Sequence, residues 1–234
     1  MNASLARIPV SIAMAAAIHV GMSPPNPAVP KEQRKMRDGI ITISDATFIG
    51  KYAVWMHTLA EIAVIIAGQF PESQWSKDTL ALLLPNQDAS SIALNIWAAL
   101  GCIIVIAGCS LRYWCYRELG RHFLFEVAIL KDHKLITTGP YAYVRHPSYS
   151  GVFISYLGMS LFYPFAGSWL YESEIYKSPT AWLILGTLGF IITQPFFMIC
   201  RRLVHEDAIV AQAFGKEWKE WANKVRWRVI PGVF

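Results

Sequence analysis

Runs of about twenty apolar residues fix the class of this chain before any motif is considered. A helix needs ~20 mostly apolar residues to cross the ~30 Å hydrocarbon core of a bilayer, where every backbone N–H and C=O must be satisfied within the segment. Residues 91–110, 149–170 and 181–200 meet that requirement. Residues 48–70 are long enough, although they carry Lys51, His57 and Glu61. Residues 8–22 form a shorter run stopped by Ser23-Pro24-Pro25, compatible with a span, an interfacial helix or the apolar part of a signal peptide. A lone Arg7 ahead of it and the lack of a clean small-residue cleavage site weigh against the signal. The expectation is an all-α, polytopic transmembrane protein of about five spans.

Charge supports this class. Only 16% of the 234 residues are charged, against ~25% in soluble domains, and the charges are missing in blocks. That excludes a disordered chain, a collagen-like fibre and an ordinary cytosolic enzyme. The net charge of +5 does not point to nucleic acid, because the basic residues flank apolar runs instead of forming one solvated stripe. Cys102, Cys109, Cys115 and Cys200 sit in or beside apolar runs without CxxC spacing, so they read as free thiols, with no metal site expected.

Lys and Arg near span ends set orientation. Lys31, Arg34, Lys35 and Arg37 lie in residues 23–47, and Arg112, Arg117, Arg121, Lys131, Lys134 and Arg145 in residues 111–147. Arg201, Arg202, Lys216, Lys219, Lys224, Arg226 and Arg228 follow the last span, whereas the alternate loops hold only Lys77 and Lys177. Five spans put the three basic segments on one side, the cytosolic one, with the N-terminus opposite. No repeat or linker divides the chain, so residues 1–234 read as one domain: N-terminal spans in 1–110 and a catalytic half in 111–234.

Two polar constellations lie on the basic side. The first runs from His133 through Gly139-Pro140-Tyr141 to Arg145-His146-Pro147-Ser148-Tyr149. Pro147 disfavours helix at His146 and suits the first turn of the next span. Arg145, His146, Ser148 and Tyr149 thus gather at a helix N-terminus, a place that favours an anion. Taken singly, Arg145 reads as a snorkelling side chain and the tyrosines as an interfacial belt. The second constellation is Arg201-Arg202-Leu203-Val204-His205-Glu206-Asp207, followed by Phe214, Trp218 and Trp221 at helical spacing. Arg202 and Glu206 share a helix face, and the aromatic set reads as packing that holds a tail helix to the membrane. Within the second span, Glu61 has His57 four residues earlier as a ready partner. GxGxxG, P-loop, HExxH and GxSxG motifs are absent, which removes support for soluble Rossmann methyl transfer, nucleotide hydrolysis and serine hydrolysis.

HKLITTGPYAYVRHPSYSG, then a hydrophobic pair of spans, then RRLVHED…FGKEW, resembles the isoprenylcysteine carboxyl methyltransferase family over about the C-terminal half. In that family two cytosolic segments enclose S-adenosylmethionine. The resemblance implies cofactor contacts at His133, Lys134, Leu135, Ile136 and Tyr141, and at His146, Pro147, Ser148, Tyr149 and Glu206. It makes Arg202 the arginine facing the substrate carboxylate and Arg145 the arginine opening the RHP motif, both placed in catalysis. The chain departs from the family at His205-Glu206-Asp207, where several glutamates are common, and at Ala128–Leu130, where a polar residue is expected. The implied activity is methylation of the C-terminal carboxylate of a prenylated cysteine in CaaX-processed proteins. Prenylated C-termini and membrane lipid would be the partners, and the endoplasmic reticulum membrane the location, with the site facing the cytosol. Alternatives are a phospholipid or small-lipid methyltransferase, an NADPH-dependent sterol reductase, whose C-terminal end FGKEW…VIPGVF resembles, and a non-enzymatic membrane scaffold.

Overall fold

The computed structural model describes residues 3–35, 43–85 and 88–233. Arg37 and the side chains of Lys31 and Cys200 lie outside the described residues. The helices are α1 (Ala3–Gly21), α2 (Ile43–Ala67), α3 (Gln74–Leu83), α4 (Ile96–Leu119), α5 (Pro147–Phe162), α6 (Trp169–Glu172) and α7 (Pro179–Lys224). No strand occurs among the described residues, so the all-α expectation holds.

Among the described residues, three helical segments are long and apolar enough to cross a membrane: Ala3–Gly21, Ser44–Ala67 and Ile96–His122. The shortest apolar run thus lies in a helix of spanning length, because helix starts five residues before Ile8. The count of five spans is not confirmed among the described residues. The 16 residues of α5 rise only ~24 Å, and the helix ends at Phe162 instead of continuing to Leu170. Residues 181–200 are part of α7, whose helix runs on into the tail as far as Lys224. α4 starts at Ile96, where the Asn95 side chain accepts from the Ala98 N–H at 2.9 Å, and continues past residue 110 to Gly120 at φ 52°. Arg112 and Arg117 therefore ride on a helix and not in a cytosolic connection.

α4 and α5 approach until backbones nearly touch. A Cβ on Gly101 would lie 2.7 Å from the Gly158 carbonyl oxygen, and one on Gly108 2.6 Å from that of Gly151. Small residues in lipid allow such contact, where dispersion replaces the missing hydrophobic drive. α1 lies against α4, and Met14, Ile18, Cys102, Val105, Val152, Phe162 and Leu203 join the helices in one apolar core. Cys102, Cys109 and Cys115 are free and buried.

Glu61 takes a different partner from the one its sequence suggests. Arg7 Nε stands 3.0 Å from Glu61 Oε1, with both side chains fully buried. Ser11 Oγ donates to Glu61 Oε1 at 2.5 Å and the Trp169 N–H to Oε2 at 3.0 Å. His57 packs edge-on against Tyr163 and Trp169 and makes no hydrogen bond to Glu61. This pair ties α1, α2 and α6 together and lies about 15 residues of α1, or ~22 Å, from Met22 on the cavity described next.

Candidate functional site

The turn at Gly139–Ala142 begins with Gly139 at φ 57° and brings the chain to His146, held outside helix at φ −128° by the following proline. Pro147 then opens α5. The segment after α7 lies along this corner: the Arg145 N–H donates to Trp227 O at 2.9 Å and the His146 N–H to Arg228 O at 2.7 Å. Ser150 Oγ donates to Val229 O at 2.6 Å, and Trp221 Nε1 to Tyr141 O at 3.2 Å. The two constellations, more than fifty residues apart in sequence, are thereby stitched together.

Asp207 is the hub of the joint. His146 Nε2 lies 2.9 Å from its Oδ1, while Arg228 Nε donates to Oδ2 at 2.9 Å and an Arg145 terminal nitrogen stands 3.1 Å from Oδ2. Burial alone would raise this carboxyl, but the His146 hydrogen bond, with Arg228 and Arg145, holds it below the ordinary aspartate value. One residue earlier, Glu206 Oε2 accepts from the Tyr149 hydroxyl at 2.7 Å and lies 3.6 Å from Arg202 Nε, on a side chain only 3% exposed. Arg145 is no snorkelling side chain: it is 10% exposed and its guanidinium carbon lies 5.7 Å from the Trp218 ring centre.

These groups border one open cavity that encloses about 1330 Å³ of empty space, mouth included. Of the positions singled out from sequence, His133, Lys134, Leu135, Ile136 and Tyr141 lie on its wall. So do Arg145, His146, Ser148, Tyr149, Arg202 and Glu206. Pro147 is buried at the start of α5 and does not line it. His133 Nδ1 accepts from the Leu130 N–H at 3.3 Å, and burial, together with nearby His122, lowers its pKa and favours the neutral ring. Burial pushes the Tyr141 hydroxyl well above the usual tyrosine range, so it stays protonated.

Other wall residues were not among the expected ligand contacts. Phe214, Trp218 and Trp221 face the cavity, not only the membrane, because the kink at Gly215 (φ 52°) turns the end of α7 back across the corner. Helical spacing showed that they share a face, but not what that face meets. Residues 123–129 supply the opposite wall, where Arg34 pairs with Glu126 at 3.6 Å. Arg112, read as a loop charge, is a buried wall residue; its position two residues past an apolar run was the available signal.

The wall offers groups for a charged, aromatic ligand. Trp218 Nε1 and Arg145 Nε are buried without a hydrogen-bond partner among the described residues, Glu206 offers an anion for an ammonium, and His133 with Phe214 (ring centres 5.7 Å apart) offers flat surfaces for a base.

Residues 99–171 match the family model described as the isoprenylcysteine carboxyl methyltransferase family. The match takes in α4 from Ala99 onward, the RHP corner and α5, and stops short of Arg202 and Glu206. A probable protein-S-isoprenylcysteine O-methyltransferase of Oryza sativa subsp. indica is 31% identical over 128 residues, covering 53% of this chain and 56% of that protein. The protein-S-isoprenylcysteine O-methyltransferase of Saccharomyces cerevisiae is 29% identical over 141 residues, covering 58% of this chain and 49% of that protein. A Delta(14)-sterol reductase of Gibberella zeae is 30% identical over 118 residues, 43% of this chain and 24% of the reductase. The chain thus spans about half the length, or less, of these curated relatives. No solved structure matches. The resemblance carried by the RHP corner is borne out in sequence: over residues 99–171 this chain matches the isoprenylcysteine carboxyl methyltransferase family.

Proposed function

We propose that the protein transfers a methyl group from S-adenosylmethionine to the C-terminal carboxylate of a prenylated cysteine on CaaX-processed proteins, at the cytosolic face of the endoplasmic reticulum membrane. The observation that carries this reading is the single cavity that joins the RHP corner to Arg202 and Glu206 through the Tyr149–Glu206 hydrogen bond. When bound, the cofactor supplies an electrophilic methyl group on a sulfonium. The rest falls to the chain. An α-carboxylate has pKa ~3.5 and is already ionised, so no strong base is required. Arg202, with Arg145, can hold the anion through paired donors. Glu206 balances the ammonium of the bound amino acid, and the aromatic wall formed by Phe214, Trp218 and Trp221 excludes water and attracts a sulfonium. Aligning two bound reactants can remove ~7–11 kcal/mol from the barrier. Val152, Tyr156 and Ile199 extend the wall into the apolar core, a surface suited to a prenyl chain.

The test uses the full chain purified in detergent, methyl-labelled S-adenosylmethionine and N-acetyl-S-farnesylcysteine. Base-labile label on the prenylcysteine is the expected result. Arg202→Ala should abolish transfer while cofactor affinity stays near wild type, and Glu206→Ala should weaken cofactor binding. Label on a phospholipid amine in place of the ester would replace this reading with lipid methylation. The Gibberella match supports one further rival, reduction of a sterol double bond with NADPH. Its arm is NADPH oxidation with a Δ14-sterol.

A further inference from the structure

Arg112 is the one buried arginine of the cavity wall left without a carboxylate among the described residues. Each carboxylate on that wall has a cation: Glu126 has Arg34, Glu206 has Arg202 and Asp207 has Arg145. Arg112 is 4% exposed and its hydrogen-bond partners are all neutral. Its Nε donates to Gly21 O at 2.6 Å and one terminal nitrogen to the Tyr116 hydroxyl at 2.8 Å. The other donates to the Ser148 carbonyl at 3.1 Å and to Ser148 Oγ at 2.9 Å. A guanidinium does not deprotonate in a protein, and a buried charge without a counterion is costly. An ionisable group kept inside a membrane helix marks function by default.

The hydrogen-bond directions say what the charge does. The Tyr116 hydroxyl accepts from Arg112 and donates to Gly21 O, so both its roles are filled. Ser148 Oγ accepts from Arg112, and its own proton has no acceptor among the described residues. Ser148 is 91% buried (9% exposed), lies on the cavity wall and sits in the first turn of the 16-residue α5. Its backbone N–H is one of those a helix start leaves without an internal acceptor. With Oγ committed as an acceptor, the hydroxyl proton and the α5 N-terminus offer donors to the same space, backed by an unmatched positive charge.

We propose that Arg112 is a positioning residue for a carboxylate bound at Ser148: it fixes the Ser148 hydroxyl as a donor into the cavity and supplies the charge that the anion matches. The proposal rests on the methyl-transfer reading above, which brings two carboxylates to this cavity, the acceptor's and that of the cofactor's methionine part. The test measures binding of S-adenosylhomocysteine and of its decarboxylated counterpart to the detergent-purified chain, and KM against kcat for N-acetyl-S-farnesylcysteine. Ser148→Ala should lose about tenfold in one arm, the scale of a hydrogen bond to a charged group, and Ser148→Thr, which keeps the hydroxyl, should restore it. Loss confined to S-adenosylhomocysteine, with the decarboxylated ligand unaffected, identifies the cofactor carboxylate. A raised acceptor KM with unchanged kcat and unchanged cofactor binding identifies the acceptor carboxylate. Arg112→Lys should reproduce the Ser148→Ala loss and add nothing to it in the double variant. Wild-type binding and KM in Ser148→Ala overturn the proposal, as do independent, additive losses from the two sites. Should Arg112→Lys not fold, Ser148→Ala against Ser148→Thr still decides whether the hydroxyl holds the anion. A wild-type chain that binds S-adenosylhomocysteine but esterifies no prenylcysteine removes the methyl-transfer reading and leaves the binding arm readable.

Discussion

At the scale of single residues, the chemistry is concentrated in a few buried charges whose partners come from far along the chain. Asp207 receives His146, Arg145 and Arg228. Its carboxyl is held below the ordinary value, so its contribution to stability is complete above about pH 4, the usual aspartate value, and is lost as pH falls through the lower folded value. Thermal unfolding in detergent between pH 7 and pH 3 should therefore show a wild-type loss on the acid side that Asp207→Asn lacks; parallel curves for the two proteins would refute this role. The Arg7–Glu61 pair gives a second expectation. Glu61→Leu leaves Arg7 buried without its counterion and should cost about 3 kcal/mol or more, whereas Arg7→Met with Glu61→Leu should recover most of that loss. Melting temperatures of the single and double variants check it. The sequence marked Glu61 as unusual but named His57 as partner, because spacing along one helix says nothing about a side chain arriving from another.

Among the elements, α4 and α5 form the rigid pair on which the RHP corner stands. A side chain at Gly108 would enter the backbone of α5 near Gly151, so Gly108→Val should lower the melting temperature by several degrees and weaken cofactor binding with it. An unchanged melting temperature would show that the helices can separate without consequence. The segment after α7 acts as a strap, since Trp227, Arg228 and Val229 hold Arg145, His146 and Ser150 by backbone and hydroxyl hydrogen bonds. Deleting residues 225–234 should abolish cofactor binding while far-UV circular dichroism keeps nearly its full helical signal; retained binding would make the strap dispensable. The helices themselves were legible from apolar runs, and Pro147 marked the start of α5. Their ends were not. α4 passes beyond its apolar run because helix tolerates Arg112 once that side chain is buried on neutral acceptors, and α5 stops at Phe162 although apolar residues continue.

For the whole molecule, topology and site placement are one question, because the proposed methyl transfer needs the cavity on the side where the acceptor is delivered. The basic segments near the cavity favour the cytosolic side. In sealed microsomes an impermeant thiol reagent should label Lys219→Cys from outside and reach Lys77→Cys, an exposed residue of α3, only after permeabilisation. Labelling of both without permeabilisation would overturn the alternating arrangement. The sequence by itself determined the class and the candidate chemistry: long apolar runs point to membrane helices, and Arg145-His146-Pro147 and Arg202-x-x-x-Glu206 carry residue types that hold anions and cations at a helix start and on one helix face. Only the tertiary structure decided that the two constellations share a cavity, that Asp207 joins them, that the aromatic tail of α7 faces inward, and that Arg112 is a buried wall charge. The physical reason is range. Hydrophobic length and helical period are local properties written in consecutive residues, whereas the partner of a buried charge is set by which helices pack together.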